Sequence, residues 1–233
     1  MENGRWDLTT GLEAVSREFR NVPTGIASTA THVFSGGTTV DAWLAAHRSL
    51  LGVPERRYTL NGPVEVRAGR NYASGLGAFA SSKGELRSRW LAKARGDDYE
   101  FLSTLRAGNI LGDVPLDQLY QLGVERDNEL WIRGHAGTLD GRKGRAPLGT
   151  RYVSLNSELN KTLYGAAFFR VQLDPFFDTG AIADPNGEFG SRKWLFDTRM
   201  QARIRVLGSV GVVLSYGRDL RHGTGVFFGT ALR

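Results

Sequence analysis

Apolar and polar residues alternate one by one along most of this chain, in segments of about ten residues, and a period of two marks extended strands. The clearest segment runs from residue 196 to 206. Phe196, Thr198, Met200, Ala202, Ile204 and Val206 share one face, and Asp197, Arg199, Gln201, Arg203 and Arg205 share the other. Wound as a helix, the same charges would spread over every side. Leu86, Ser88, Trp90, Ala92 and Ala94 alternate with Glu85, Arg87, Arg89, Lys93 and Arg95 in the same way. So do Val64, Val66 and Ala68 with Glu65 and Arg67, and Tyr99, Phe101, Leu105 and Ala107 with Glu100, Thr104 and Arg106. Val153, Leu155, Leu159 and Leu163 alternate with Ser154, Asn156, Glu158 and Asn160. Trp6, Leu8, Leu12 and Ala14 begin the first strand; Val210, Val212, Leu214 and Tyr216 line another; Val226, Phe228 and Leu232 line the last. Residues 38–50 are read as a strand, although Asp41 to Leu51 also fits a short helix.

About ten antiparallel strands result, and the links between them sort by length. Residues 52–55, 96–98, 164 and 207–208 form short links, and 20–37, 72–83, 111–150, 183–193 and 220–224 form long ones. Short turns at one end and long loops at the other are the habit of a transmembrane β-barrel. The expected fold is therefore all-β, an antiparallel transmembrane barrel. Its lipid-facing band carries Trp6, Trp90, Phe101, Phe196, Tyr216 and Phe228, some of them near strand ends where interface aromatics sit. A soluble sandwich would show the same alternation, so the strands alone leave that alternative open.

Composition fits this picture without proving it. Among 233 residues, 30 are glycine and 12 phenylalanine, and hydrophobic residues make up 41%. No run of about 18 apolar residues exists, so a membrane-crossing helix is not expected. The absence of cysteine excludes disulfides and thiolate metal sites. The net charge is +6 with a pI near 9.8, but the basic residues recur on alternate strand positions instead of clustering. That pattern favours a basic lumen or contacts to anionic lipid headgroups over nucleic acid. The chain opens with no basic and apolar leader, so it is expected to be the C-terminal piece of a longer protein if the membrane reading holds.

The link 111–150 is long enough to call for a function. It holds a candidate helical turn at Val114-Pro115-Leu116-Asp117-Gln118-Leu119-Tyr120, then Trp131-Ile132-Arg133-Gly134-His135, then the basic Gly141-Arg142-Lys143-Gly144-Arg145. Further on, Pro175-Phe176-Phe177-Asp178-Thr179-Gly180 puts a carboxylate in mid-strand, which is costly unless it meets water or a partner. The simplest arrangement folds the loop inside the barrel and pairs Arg133 with Asp178, because a guanidinium grips a carboxylate through two parallel hydrogen bonds. Glu158 is a candidate second acceptor. His135 reads equally well as a tip residue or a surface histidine.

No catalytic motif is present, and the protein is expected not to be an enzyme. His32, His47, His135 and His222 are scattered without metal-site spacing, so neither a metal nor another cofactor is expected. Ser215 and His222 suggest a hydrolase pair only by chance.

Ile132-Arg133-Gly134-His135 and Phe177-Asp178-Thr179-Gly180 resemble two motifs of the BamA/TamA superfamily of outer-membrane barrels, the bacterial surface antigen domain. There the first motif, V/I-R-G-F/Y, sits on a loop folded back into the lumen, and the second, F-x-D-x-G, lies on the wall. His135 stands where the family has an aromatic residue. Gly108 to Pro115, Asn156-Ser157-Glu158-Leu159 and Tyr216 to Arg221 also look like the family, and the likeness covers residues 99–233. It implies that residues 1–233 are the C-terminal portion of a barrel of about sixteen strands, without a POTRA domain. It also implies close approach of loop and wall at Gly134 and Gly180. The expected task is assembly, insertion or translocation of proteins at the cell outer membrane of a Gram-negative-type bacterium. Expected partners are lipid, lipopolysaccharide, unfolded outer-membrane clients, and periplasmic domains or assembly lipoproteins. A barrel that anchors or exports a fused passenger, and a soluble barrel or sandwich that binds a ligand, are the alternatives.

Overall fold

The computed structural model describes residues 6–20, 34–73, 75–92, 99–125, 128–139, 142–143, 146–166, 168–183, 193–207 and 210–232. His32, Lys93, Arg95, Gly141, Gly144 and Arg145, and most of the links 20–37 and 183–193, lie outside the described residues.

The strands are β1 (Asp7–Arg17), β2 (Gly37–His47), β3 (Ser49–Val53), β4 (Tyr58–Asn61), β5 (Val64–Ala73), β6 (Ala78–Leu91) and β7 (Tyr99–Leu111). The link to the next long strand carries four two-residue strands: β8 (Tyr120–Gln121), β9 (Thr138–Leu139), β10 (Arg142–Lys143) and β11 (Leu148–Gly149). Then follow β12 (Arg151–Ala166), β13 (Phe169–Ala183), β14 (Leu195–Val206), β15 (Val210–Asp219) and β16 (Gly225–Leu232). One antiparallel sheet runs β1-β2-β5-β6-β7-β12-β13-β14-β15-β16, with β3 and β4 as a side hairpin whose β4 pairs β6. Residues 38–50 are thus extended and not helical. The break at Arg48 lets the chain leave β2 for the hairpin, and Gly62 N–H closes it on the Arg48 carbonyl at 3.0 Å.

Register sorts the side chains into two sets. Leu12, Leu44, Val66, Leu86, Leu105, Leu155, Met200 and Leu214 fall on the outward face. Every aspartate and glutamate of the described long strands falls on the inward one: Asp7, Glu13, Asp41, Glu65, Glu85, Glu100, Glu158, Asp174, Asp178, Asp197 and Asp219. The outward cations sit near strand ends, with Arg70, Arg151 and Arg218 at one end and Lys161 at the other. An outward surface with many exposed large apolar side chains and no acid suits hydrocarbon rather than water.

The described residues of the link 112–150 lie on the inward face. Asp117 receives the Arg17 guanidinium of β1 at 2.5 Å. The Asp113 carbonyl accepts from Asn71 of β5 at 3.1 Å. At the far edge Trp131 meets Phe228 of β16 edge-on, with ring centres 5.3 Å apart. One segment touching both the first and the last strand requires the sheet to curl around it. Its seating is apolar as well as polar. Leu122 and Ile132, both fully buried, pack with Leu130, Tyr152, Ile182 and Leu195, while Val114 packs with Phe79 and Ile110. Each such aliphatic side chain contributes about 1.5–3 kcal/mol when fully buried.

Three sequence expectations are corrected. Phe228 faces inward, and its neighbour Phe227, 68% exposed, takes the outward place. The register of β16 on β15 decides this, because a slip of one residue exchanges the faces. The link expected at 72–83 shrinks to 74–77, since Phe79 continues the strand by burying itself between Ile110 and Val114. The strict alternation of long and short links fails there. The turn expected at Tyr164 lies beyond Ala166, after a bulge near Thr162. The candidate helical turn before Tyr120 is a 3-10 turn over Leu116–Gln118.

Candidate functional site

Antiparallel pairing brings Asn156 of β12 opposite Asp178 of β13, Asp178 opposite Asp197 of β14, and Asp197 opposite Asp219 of β15. Three inward aspartates therefore stand side by side on one row. Asp178 and Asp197 are completely buried and Asp219 nearly so. Like charges directly opposite one another destabilise a sheet, and buried charges do so more strongly. The row needs cations and hydrogen-bond donors from elsewhere.

The infolded loop supplies them with three consecutive residues. Arg133 grips Asp178 through Nε to Oδ2 and Nη2 to Oδ1, both at 2.7 Å, and its backbone N–H donates to Oδ2 at 3.1 Å. Its Nη1 donates to Glu158 of β12, and its guanidinium lies over the Phe176 ring at 3.7 Å from the centroid. The Gly134 N–H donates to Asp197. His135 places Nδ1 3.0 Å from Asp197 Oδ2 and Nε2 3.6 Å from Asp219 Oδ2. Asp219 also faces His222 Nδ1 at 2.6 Å and accepts the Arg221 N–H at 2.7 Å.

Local hydrogen bonds hold this tripeptide in shape. The His135 N–H closes a turn on the Ile132 carbonyl at 3.0 Å, and the Val124 N–H donates to the His135 carbonyl at 2.7 Å. Asn128 ties the loop together by donating to the Gln121 and Gly123 carbonyls at 2.6 and 2.8 Å. Asn156 fastens loop to wall, donating to the Trp131 carbonyl at 2.7 Å and to Asp178 Oδ1 at 2.8 Å.

Two glycines let the backbones meet. A Cβ on Gly134 would stand 2.6 Å from the Asp197 carboxyl carbon and 2.6 Å from the Asp219 nitrogen. A Cβ on Gly217 of β15 would run into the Arg133 carbonyl. Gly180, expected to serve this purpose, does not. The space where its Cβ would go is closed by Val153 and Ser154 of β12, so its role is within the sheet.

The network continues beyond the loop. Glu158 also binds Arg203 Nη2 at 2.6 Å, and Arg203 Nε lies 3.0 Å from Asp174. Arg106 links Glu85 at 2.6 Å to Asn156 at 2.8 Å. Burial by itself would lower the Arg133 pKa; hydrogen bonds and charge from Asp178 and Glu158 outweigh it and raise the value further. His135 behaves alike. Burial disfavours its imidazolium, but the Asp197 hydrogen bond and the charges of Asp197 and Asp219 raise its pKa above the ordinary histidine value.

The residues singled out in the sequence fall as follows. Arg133, Gly134, His135, Asp178 and Glu158 converge at the row, while Ile132 is buried in the apolar cluster with Leu122, Leu130, Tyr152, Ile182 and Leu195. Phe177 points outward and meets Phe196 at 6.5 Å, while Phe176 is the ring beneath Arg133. Asp197, Asp219, Gly217 and Arg203 complete the site; Gly217 and Asp219 fell within the family-like stretch Tyr216 to Arg221, but nothing there assigned them a role. The one signal for Asp197 was its polar place in the alternation of 196–206. Ser215 Oγ is buried without a hydrogen bond, and His222 is bound to Asp219 instead.

No protein-family model matches the chain, and no curated protein matches it. Among solved structures, CdiB from Escherichia coli is similar over 97% of this chain and 49% of its own length, at 14% identity and a TM-score of 0.48. CdiB from Acinetobacter baumannii is similar over 97% of this chain and 47% of its own length, at 13% identity and a TM-score of 0.46. The chain thus spans about half the length of the solved structures it matches.

Proposed function

We propose that this chain is a barrel segment of an outer-membrane protein of BamA/TamA type, acting in the assembly, insertion or translocation of other proteins. The observation that carries the reading is the row Asp178-Asp197-Asp219 met by Arg133-Gly134-His135 on an infolded loop. A loop locked to the wall by a bidentate pair is a brace, and the acid-free outward face gives the wall its lipid side. In this reading no bond-making chemistry is needed and the protein is not an enzyme. The edges β1 and β16 present backbone groups that a client strand pairs with, while the brace holds β12–β15 in register. The membrane is the bacterial outer membrane, with Arg70, Arg151 and Arg218 set for anionic headgroups at one rim. Unfolded outer-membrane proteins are the clients.

The test is client insertion by the purified chain in lipid bilayers, compared with Arg133→Ala. Insertion by the parent chain, its loss in the variant and protease sensitivity of residues 112–150 in the variant are the expected result. Equal insertion and equal protection would remove the brace from the mechanism. A chain that stays monomeric and soluble without detergent would remove the membrane.

A further inference from the structure

The charges around the aspartate row do not balance. Five carboxylates, those of Glu158, Asp174, Asp178, Asp197 and Asp219, share two bonded guanidinium groups, Arg133 and Arg203. Both guanidinium groups lie on the Asp178 side of the row. Among the described residues the Asp197–Asp219 side has only the imidazoles of His135 and His222. Asp197 is wholly buried, and its Oδ1 has no hydrogen-bond partner. An orphaned carboxylate oxygen of that kind is costly unless something binds it. One nitrogen of His135 and one oxygen each of Asp197 and Asp219 lie within 4.8 Å of one another. Atoms bound at about 2.0–2.2 Å to one ion stand no more than about 4.4 Å apart, so a small closing of the cluster brings all three onto one ion.

We propose that His135, Asp197 and Asp219 form a binding site for one divalent transition-metal ion of the zinc class, which fastens the tip of the infolded loop to β14 and β15. One imidazole with two carboxylates is a donor set for zinc, cobalt or manganese rather than for magnesium, which keeps to oxygen and water. The ion neutralises the two facing carboxylates and occupies the orphaned side of Asp197. His222, 66% exposed on the link after β15, binds the same Asp219 oxygen, Oδ2, that faces His135. Each ligand comes from a different element, so the ion ties together pieces of chain that the sheet alone does not. This site lies beside the Arg133–Asp178 pair and does not depend on any client or membrane role.

The experiment is metal binding by the purified full chain in detergent micelles, stripped with a chelator and dialysed against Zn2+, Co2+ or Mg2+. One equivalent of Zn2+ is expected, with Co2+ giving the visible absorption of a low-coordinate site and Mg2+ not retained. His135→Gln and Asp219→Asn should each weaken Zn2+ binding by about tenfold or more. Zn2+ should also protect residues 112–150 from protease in the parent chain and not in His135→Gln. No Zn2+ or Co2+ retained by the parent chain overturns the proposal, since the cluster then holds only protons. Binding that both substitutions leave unchanged overturns it equally. Asp219→Asn keeps a side chain of the same shape, so misfolding of His135→Gln alone does not decide the outcome.

Discussion

The early wall, β1 to β7, and the late wall, β13 to β15, both turn acids inward, but they neutralise them differently. In the early wall each acid finds its cation within the sheet. Arg67 serves Glu13 at 2.6 Å and Asp41 at 3.1 Å, Lys83 serves Glu65 at 3.2 Å, and Arg89 serves Glu100. In the late wall Asp178, Asp197 and Asp219 have no such neighbour among the described residues, and the loop brings it. The early sheet neutralises its own acids, and only its cation Arg17 takes a carboxylate, Asp117, from the link among the described residues. The late sheet is complete only when residues 133–135 are docked. A wall built that way couples its own stability to the position of a loop, and that coupling is what a brace or a gate requires.

The largest expected effect tests the coupling directly. Arg133→Ala leaves Asp178 buried and unpaired, and should cost about 3–5 kcal/mol in denaturant unfolding, with protease cuts appearing in 112–150. Arg133→Lys should recover little of the loss, because an ammonium cannot reproduce the two-point grip. Adding Asp178→Asn to Arg133→Ala should recover part of the stability, since the lone buried charge is then gone. No recovery would mean that packing over Phe176, not charge, sets the cost.

Gly217→Ala should cost about 1–3 kcal/mol by pushing its methyl into the Arg133 carbonyl, and it should loosen the loop. Gly69→Ala, which meets Asp41 in the neighbouring early strand, should strain the sheet and leave loop protection unchanged. Equal protease patterns in the two variants would break the contrast between the walls. Phe228→Ala removes the Trp131 edge contact and should cost about 0.5–1.5 kcal/mol beyond lost area, whereas Phe227→Ala should leave the loop untouched. Smallest of all, Lys83→Ala, at the part-exposed early-wall pair with Glu65, should cost only about 0.2–1 kcal/mol, with salt dependence and no change in the loop.

Much of this is legible in the amino-acid sequence itself. A period of two survives translation into a sheet because successive side chains point to opposite sides whatever the partner strand, so the faces of 64–68, 85–91, 99–107, 153–159, 196–206 and 210–216 followed directly. Arg133, Asp178 and Glu158 were legible as unlike charges with few other places to go. Where the apolar signal was weak, as at Phe79 or between Phe227 and Phe228, the pattern could not locate a strand end or pick a face.

Alternation along the chain thus determined which residues share a side of each strand, and with it an inward set of acids and an outward set of hydrocarbon. It did not determine which residues stand opposite one another, because cross-strand register depends on turn lengths and bulges that carry no periodic signal. Only the folded sheet put Asp178, Asp197 and Asp219 on a single row. Only the packed loop chose Gly217 over Gly180 as the point of approach and set His135 between two carboxylates, since contacts between distant segments arise from how surfaces fit and not from spacing in the chain.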